Sequence, residues 1–552
     1  MTECVPGSDV IGAWKVVSNN QTLVPGSTEL KFFSYNQPSI NSSGLLVFRG
    51  RARGATGSGG SGGSGGMSRG VFAVDACQPS PKLYTVAETG SSVPAPNNTD
   101  ATFNEFPSIP RIDMNSAVMA TRGQSSPVWS LSDGTRLGTA GVYVASAAGL
   151  STGIGLLGSV PEFFYMQVPN ASTTGLKFDQ FPGSPAVSDG KYLAFKGNFT
   201  DGITSRTGVY YRDLSVSNSP VHVIADSSML IPGSATAFGS TAPPSAANGK
   251  VAFVGLDNED APTAGGLYIA PLADNPALTP LVQIGLTVVT DSAGNPVTSD
   301  HPTFTALGEG LAFDGRYIAF WGAWGTDMRE ITLTCPEDGN ADLVAACQEQ
   351  YPPSGVTTKS VPVNQGMFLY DTVQNKLRMV ARAGSGEQFQ DFLFWVFSGA
   401  AGGSGESGAT DAEPPRWRAS AFAAVDGTRG VIFKGMLTPA ETVTTPSSGI
   451  YGAAFVGNAL GAVFKIVEIG DSIAALDSAA PADSTIGSLG IERESLRSGW
   501  LTITIASAET ETESEEAEVV GWAGIYTTYV PGAFHVRAAV APATVGTLIL
   551  GN

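Results

Sequence analysis

Short alternating runs of apolar and polar residues, each closed by a glycine or by an Asp-Gly or Asn-Gly pair, recur along the whole 552-residue chain. The run "SDGKYLAFKG" at 188–197 returns as "FDGRYIAFWG" at 313–322. Alternation of period two between turn residues predicts β-strands joined by tight hairpins. Aligned on these runs, the chain shows seven copies of a first half: "GLLVFRG", "AVMATRG", "KYLAFKG", "KVAFVG", "RYIAFWG", "GVIFKG" and a degenerate "WLTITIAS". A partner follows each: "RGVFAV", "AGVYVA", "TGVYYR", "GGLYIA", "GMFLYD", "SGIYGA" and "AGIYTT". A short segment enters the turn before most first halves, and an apolar run such as "VHVIAD" or "LRMVAR" follows most second halves. The unit is therefore four antiparallel strands, recurring about every 70 residues.

Seven four-stranded units predict an all-β chain folded as a seven-bladed β-propeller. A solenoid is the alternative, but its repeats rarely carry four strands and such long loops. The units "SDGKYLAF" and "FDGRYIAF" resemble TolB-type propeller repeats, in which an Asp-Gly turn feeds the strand Lys/Arg-x-Ile/Leu-Ala-Phe. The resemblance implies the fold and carries no catalytic residue with it. The expected organisation is a single domain over 1–552. Residues 1–36 form a closing strand and its exit loop, and the blades cover 37–106, 107–181, 182–242, 243–310, 311–416, 417–490 and 491–552. Both "AWKVVSNN" near the N-terminus and "FHVRAAV" near the C-terminus look like fourth strands, so one of them is an extra or edge strand.

Charge narrows the partners. A net charge of −19 argues against nucleic acid, which needs a dense basic surface. No run of 18 apolar residues occurs, so no transmembrane segment is expected. The cysteines are Cys4, Cys77, Cys335 and Cys347. Cys335 and Cys347 lie in one polar stretch and read as a local disulfide, leaving Cys4 to join Cys77. With few lysines and a surface rich in Ser, Thr and Gly, this favours a secreted, extracellular protein whose signal has been removed. Five Asn-x-Ser/Thr sequons, at Asn20, Asn41, Asn97, Asn170 and Asn198, are close to what chance gives.

The loops after strands two and four leave a propeller on one face, where ligands usually bind. The residue before the strand-two glycine is Arg49, Arg122, Lys196, Val254, Trp321 or Lys434. Four cations at one repeat position suggest a ring that focuses field on an anion. The competing reading is inherited sequence, with stems packed between blades and charged heads in water. Blade five carries long insertions holding Cys335 and Cys347. Its Trp321, Trp324 and Trp395 are candidates for a flat surface that stacks on sugar rings or anchors a protein partner, the competing reading being that they fill gaps between blades. The Gly/Ser-rich "GATGSGGSGGSGGMSRG" reads as a flexible linker, either natural low complexity or an engineered splice, and the acidic "ETETESEEAE" as a solvated loop. The repeated Phe-x-x-Phe pairs (Phe103/Phe106, Phe178/Phe181, Phe389/Phe392) are expected to wedge between blades.

Catalytic groups are sparse. Of three histidines only His301 lies in an exit loop. It is the one candidate general base, for a lyase in which a Tyr acts as acid and an Arg neutralises a uronate. No metal-ligand set and no cofactor fingerprint is found. The sequence therefore predicts an extracellular binding or assembly module for a glycan or protein partner, with a polysaccharide lyase on an acidic glycan as the alternative.

Overall fold

The computed structural model describes the chain from Trp14 to Val530, apart from 54–66, 400–414, 440–445, 508–520 and short breaks at 79, 98–99, 126–128, 131–133, 135, 138–139, 300, 338–340, 385 and 458. It is a seven-bladed β-propeller of four-stranded antiparallel blades. Blade one shows the plan. Its first strand is split into Lys31–Tyr35 and Ser39–Ile40, followed by Leu45–Arg53, Met67–Asp75 and Tyr84–Glu88. That first strand begins inside the stretch read from sequence as closing strand and exit loop.

The ring is closed by the N-terminal strand. Lys15–Asn19 pairs antiparallel with Ala523–Tyr529 and so supplies the fourth strand of blade seven. The C-terminal "FHVRAAV", the rival for that place, lies outside the described residues, as do most of the Gly/Ser-rich loop and the acidic loop.

The repeated glycine has a packing cause. In six blades the strand-two and strand-three glycines face each other across the ladder, as in Gly50 with Gly70 and Gly197 with Gly208. The phenylalanine that opens strand one lies flat on the strand-two glycine. A Cβ on Gly197 would stand 2.6 Å from the Phe178 ring, and one on Gly123 would stand 2.6 Å from Phe103. The strand-three aromatic then meets the same phenylalanine edge-on, at 5.0 Å for Phe178–Tyr210 and 4.8 Å for Phe103–Tyr143. Phe-Gly-Tyr is thus one packing unit written across three strands.

The apolar core is divided among seven seams between adjacent blades, the last joining Trp500 and Ile525 of blade seven to Phe32, Phe48 and Phe72 of blade one. Phe103 and Phe106 sit in the seam of blades one and two, Phe178 and Phe181 in that of two and three, and Phe389 and Phe392 in that of five and six.

The turns between strands one and two clasp one another around the opposite face. Gly190 N–H donates to Asp113, Gly249 N–H to Ser188 Oγ, Gly427 N–H to Asp314 and Gly499 N–H to Asp426, at 2.6–3.1 Å. At Asp314-Gly315 the Asp-Gly pair does two jobs: Gly315 supplies the positive φ of the hairpin, 97°, and Asp314 holds Gly427 of the next blade.

Candidate functional site

The inner halves of the first strands line the propeller axis, and neighbouring ones touch around the ring. Most first strands break just before this inner half, and the breaks converge at the loop-bearing mouth of the channel. In blade seven the break is "IERESLR", 491–497, and it fills the channel. Ile40 N–H donates to Glu494 O at 3.0 Å, and Ser495 Oγ donates to Pro38 O at 3.1 Å, both in blade one. Arg493 crosses the axis to Pro243 O and Pro244 O of blade four, at 3.1 and 3.4 Å. Arg497 reaches Phe313 O of blade five at 3.0 Å and Val425 O of blade six at 2.7 Å.

Blade two contributes Arg111, which is fully buried. It donates to Glu492 at 3.3 Å and to Glu494. Burial alone would lower its pKa, but Glu494 and Glu492 outweigh that and hold it above the ordinary arginine value. Arg493 is pulled the other way, by burial first and then by the like charge of Arg111. The channel is therefore closed by an ionic plug bonded to five other blades.

The equivalent break in blade six carries an insertion instead. Phe394–Ser398 pairs with Arg416–Ser420 as a hairpin that rises from the channel mouth. The strand-two to strand-three loop of blade five adds a second hairpin, Met328–Thr334 with Val356–Pro362, and the helix Ala341–Gln350. Cys335 and Cys347 are disulfide-bonded at the helix and pack against Phe397, Tyr351 and Trp417 of the two insertions. Arg416 then ties the cap to Glu259 of blade four at 2.8 Å. Cys77 is also disulfide-bonded; Cys4 lies outside the described residues.

The six repeat positions do share one register: each pairs with the apolar residue just after the strand-three glycine, as Arg49 with Val71, Arg122 with Val142, Lys196 with Val209 and Lys434 with Ile450. Their surroundings differ. Arg49 is buried in the seam and donates to Glu105 at 3.0 Å, with Arg69 on the other carboxylate oxygen. Burial would raise the Glu105 carboxyl, but Arg49, the Phe106 N–H and Arg69 hold it below the usual range. Arg122 is half-buried, its backbone N–H donating to Ser108 Oγ at 3.2 Å. Lys196 and Lys434 are half-buried and have no carboxylate partner among the described residues.

The tryptophans correct the expectation of a stacking surface. Trp321 is 4% exposed, its indole N–H donating to Gln365 at 2.8 Å in the seam of blades five and six. Trp324 is 1% exposed and packs edge-on against Phe368. Neither presents a face to a ligand. Trp395 is partly buried against the same seam.

His301 is exposed, and its imidazole has no tyrosine or arginine partner among the described residues. The groups missed by sequence reading are Arg111, Glu492, Arg493, Glu494 and Arg497. The one available signal was four charges in the six residues 492–497 directly before a buried strand.

No family profile matches the sequence, and no curated protein matches it. Solved structures to which the chain is similar include a sialidase of Trypanosoma rangeli in complex with the inhibitor DANA, at 11% identity and a TM-score of 0.34. That alignment covers 82% of this chain, which spans 60% of the length of the sialidase chain. Another is fructan 1-exohydrolase IIa of Cichorium intybus, at 9% identity, a TM-score of 0.25, and coverage of 94% and 97%. A third is an α-L-arabinofuranosidase of Podospora anserina in complex with cellotriose, at 6% identity, a TM-score of 0.22, and coverage of 63% and 90%.

Proposed function

We propose that this propeller is an extracellular binding module that holds a glycan on its loop-bearing face. The observation that carries the reading is the closed axis. The plug at 491–497 occupies the channel, and the hairpin of blade six stands over its mouth. Binding is left to the loops and to the rigid cap on blades four to six, braced by the Cys335–Cys347 disulfide. A disulfide also suits an oxidising, extracellular setting.

Lys196 and Lys434, which have no carboxylate partner among the described residues, favour an acidic glycan over a neutral one, with Arg122 as a further contributor. The test is to screen the purified protein by calorimetry against acidic and neutral polysaccharides, recording the ultraviolet absorbance of any unsaturated uronate product. Binding that weakens with salt and yields no absorbance supports the reading. Product formation replaces it with the lyase, and capture of a protein alone with an assembly role.

A further inference from the structure

Blade one gathers basic residues in a chain that carries 30 Lys and Arg against 49 Asp and Glu. Its second strand, Leu45–Arg53, sets an arginine at every other position of its upper half: Arg49, Arg51 and Arg53. Alternate residues of a strand share one face. This face is turned to blade two, because Leu45 and Val47 pack in the seam of blades one and two. Phe48 and Ala52, on the other face, pack in the seam with blade seven. Directly opposed residues of an antiparallel ladder also share a face. Arg51 stands opposite Arg69 of the third strand, and Arg53 opposite Lys31 of the first. Five cations from three strands therefore form one row at the loop-bearing end of the blade.

This register is unfavourable by itself, since like charges directly opposite one another destabilise a sheet. Glu105 of blade two answers part of the charge, bonding Arg49 at 3.0 Å and Arg69 at 2.5 Å. The crowding still shows at Arg49. Burial lowers its pKa more than Glu105 raises it, and Arg51 and Arg69 lower it further. The Arg53 guanidinium lies 4.9 Å from the centre of the Phe33 ring, which steadies the side chain without cancelling its charge. Arg51, Arg53 and Arg69 are half-buried and Lys31 is exposed, so the row is anchored at its base and open to solvent.

We propose that this row is a subsite that grips successive oxyanions, carboxylate or sulfate, along an acidic polysaccharide. The inference rests on the glycan-binding reading and places its main charge contact on blade one. A guanidinium matches an oxyanion with two parallel N–H donors. An oxyanion set over Arg51 and Arg69 meets both and relieves their repulsion. A second one, about 7 Å along the strand, meets Arg53 and Lys31. A polymer of acidic sugars presents anions in such succession, whereas a free ion fills one place only.

The test titrates the intact protein by calorimetry with polygalacturonate, dextran sulfate and dextran, which carry carboxylate, sulfate and no charge. One or both acidic polymers should bind and dextran should not, the tighter of the two naming the preferred oxyanion. Arg51→Gln with Arg53→Gln should weaken that binding by at least about tenfold and flatten its salt dependence. Its thermal midpoint should stay level or rise, because opposed charges have been removed. Lys31→Gln, at an exposed position, gives a second reading of the same site should the double variant fold poorly, with a smaller loss expected. Unchanged binding in these variants overturns the subsite and leaves the glycan reading standing. Binding of dextran alone does the same. A wild-type protein that binds none of the three polymers loses both the reading and the subsite. Single-stranded DNA bound as tightly as the better polysaccharide shows general attraction of polyanions and overturns the subsite as well.

Discussion

Replacing Arg111 by alanine should be among the most damaging single changes in the molecule. The guanidinium is fully buried and serves two carboxylates, Glu492 and Glu494. Its removal leaves Glu492 with Arg493 at 3.4 Å and Glu494 with Arg497 at 3.9 Å. Breaking a buried ion pair from one side costs about 3–5 kcal/mol, because the surviving charge stays desolvated. The two remaining arginines recover part of that, which sets the expected loss at about 3 kcal/mol, a large share of a typical folding free energy. Guanidinium unfolding followed by tryptophan fluorescence reads this as a lower midpoint. The double variant Arg111→Met with Glu494→Leu should regain much of the loss, since apolar groups of similar volume need no counter-charge. A loss below about 1 kcal/mol in Arg111→Ala would show that the channel is wet and that the plug is no closure.

Several other changes separate causes that the fold combines. Gly197→Ala should cost about 2 kcal/mol by forcing a Cβ onto the Phe178 ring, read as a lower thermal midpoint with the blade count unchanged. Lys434→Met should stabilise by about 2 kcal/mol at pH 7, because a depressed lysine pKa means the folded state bears an unfavourable charge. In the window from about 8 to 10.5 the unfolded chain holds more protons than the folded one, so wild-type stability rises with pH there and its gap to Lys434→Met narrows. A gap that stays constant across that range contradicts the assignment. Peptide mapping without reduction should recover Cys335 joined to Cys347, and a Cys335–Cys77 peptide would contradict the cap. Expressed in a host that glycosylates, the folded protein should carry glycan at Asn170, the exposed sequon, and none at the buried Asn41 and Asn97.

The blades were legible in the sequence because their packing is local and repeated. A phenylalanine, a glycine and a second aromatic, Tyr in four blades and Phe72 or Phe368 in two, make the same contact on consecutive strands in six blades, so the same letters recur at the same spacing. The plug was not legible for the opposite reason. "IERESLR" is written once, and its meaning depends on Arg111, more than 380 residues earlier in the chain. The cationic positions were aligned correctly in register, but register does not disclose a neighbour. Glu105, in the Phe103–Phe106 segment of the next blade, decides the environment of Arg49. Of the two readings of the tryptophans, the seam holds for Trp321, which occupies the register of Val254, and the apolar character of both residues was the clue to burial.

The strand that closes the ring imposes an order on synthesis. Lys15–Asn19 leaves the ribosome some 500 residues before its partner Ala523–Tyr529. At ordinary elongation speeds that is a wait on the order of a minute. Throughout it the first strand has no blade to join, and by its end six completed blades curve around an unfinished one with an unpaired edge. Such an edge is a template for pairing with another nascent chain. Yield in heterologous expression should therefore depend on how long the N-terminal segment is kept apart from its neighbours. Slowing elongation without adding a chaperone should lower the soluble fraction, even though the finished ring is unchanged.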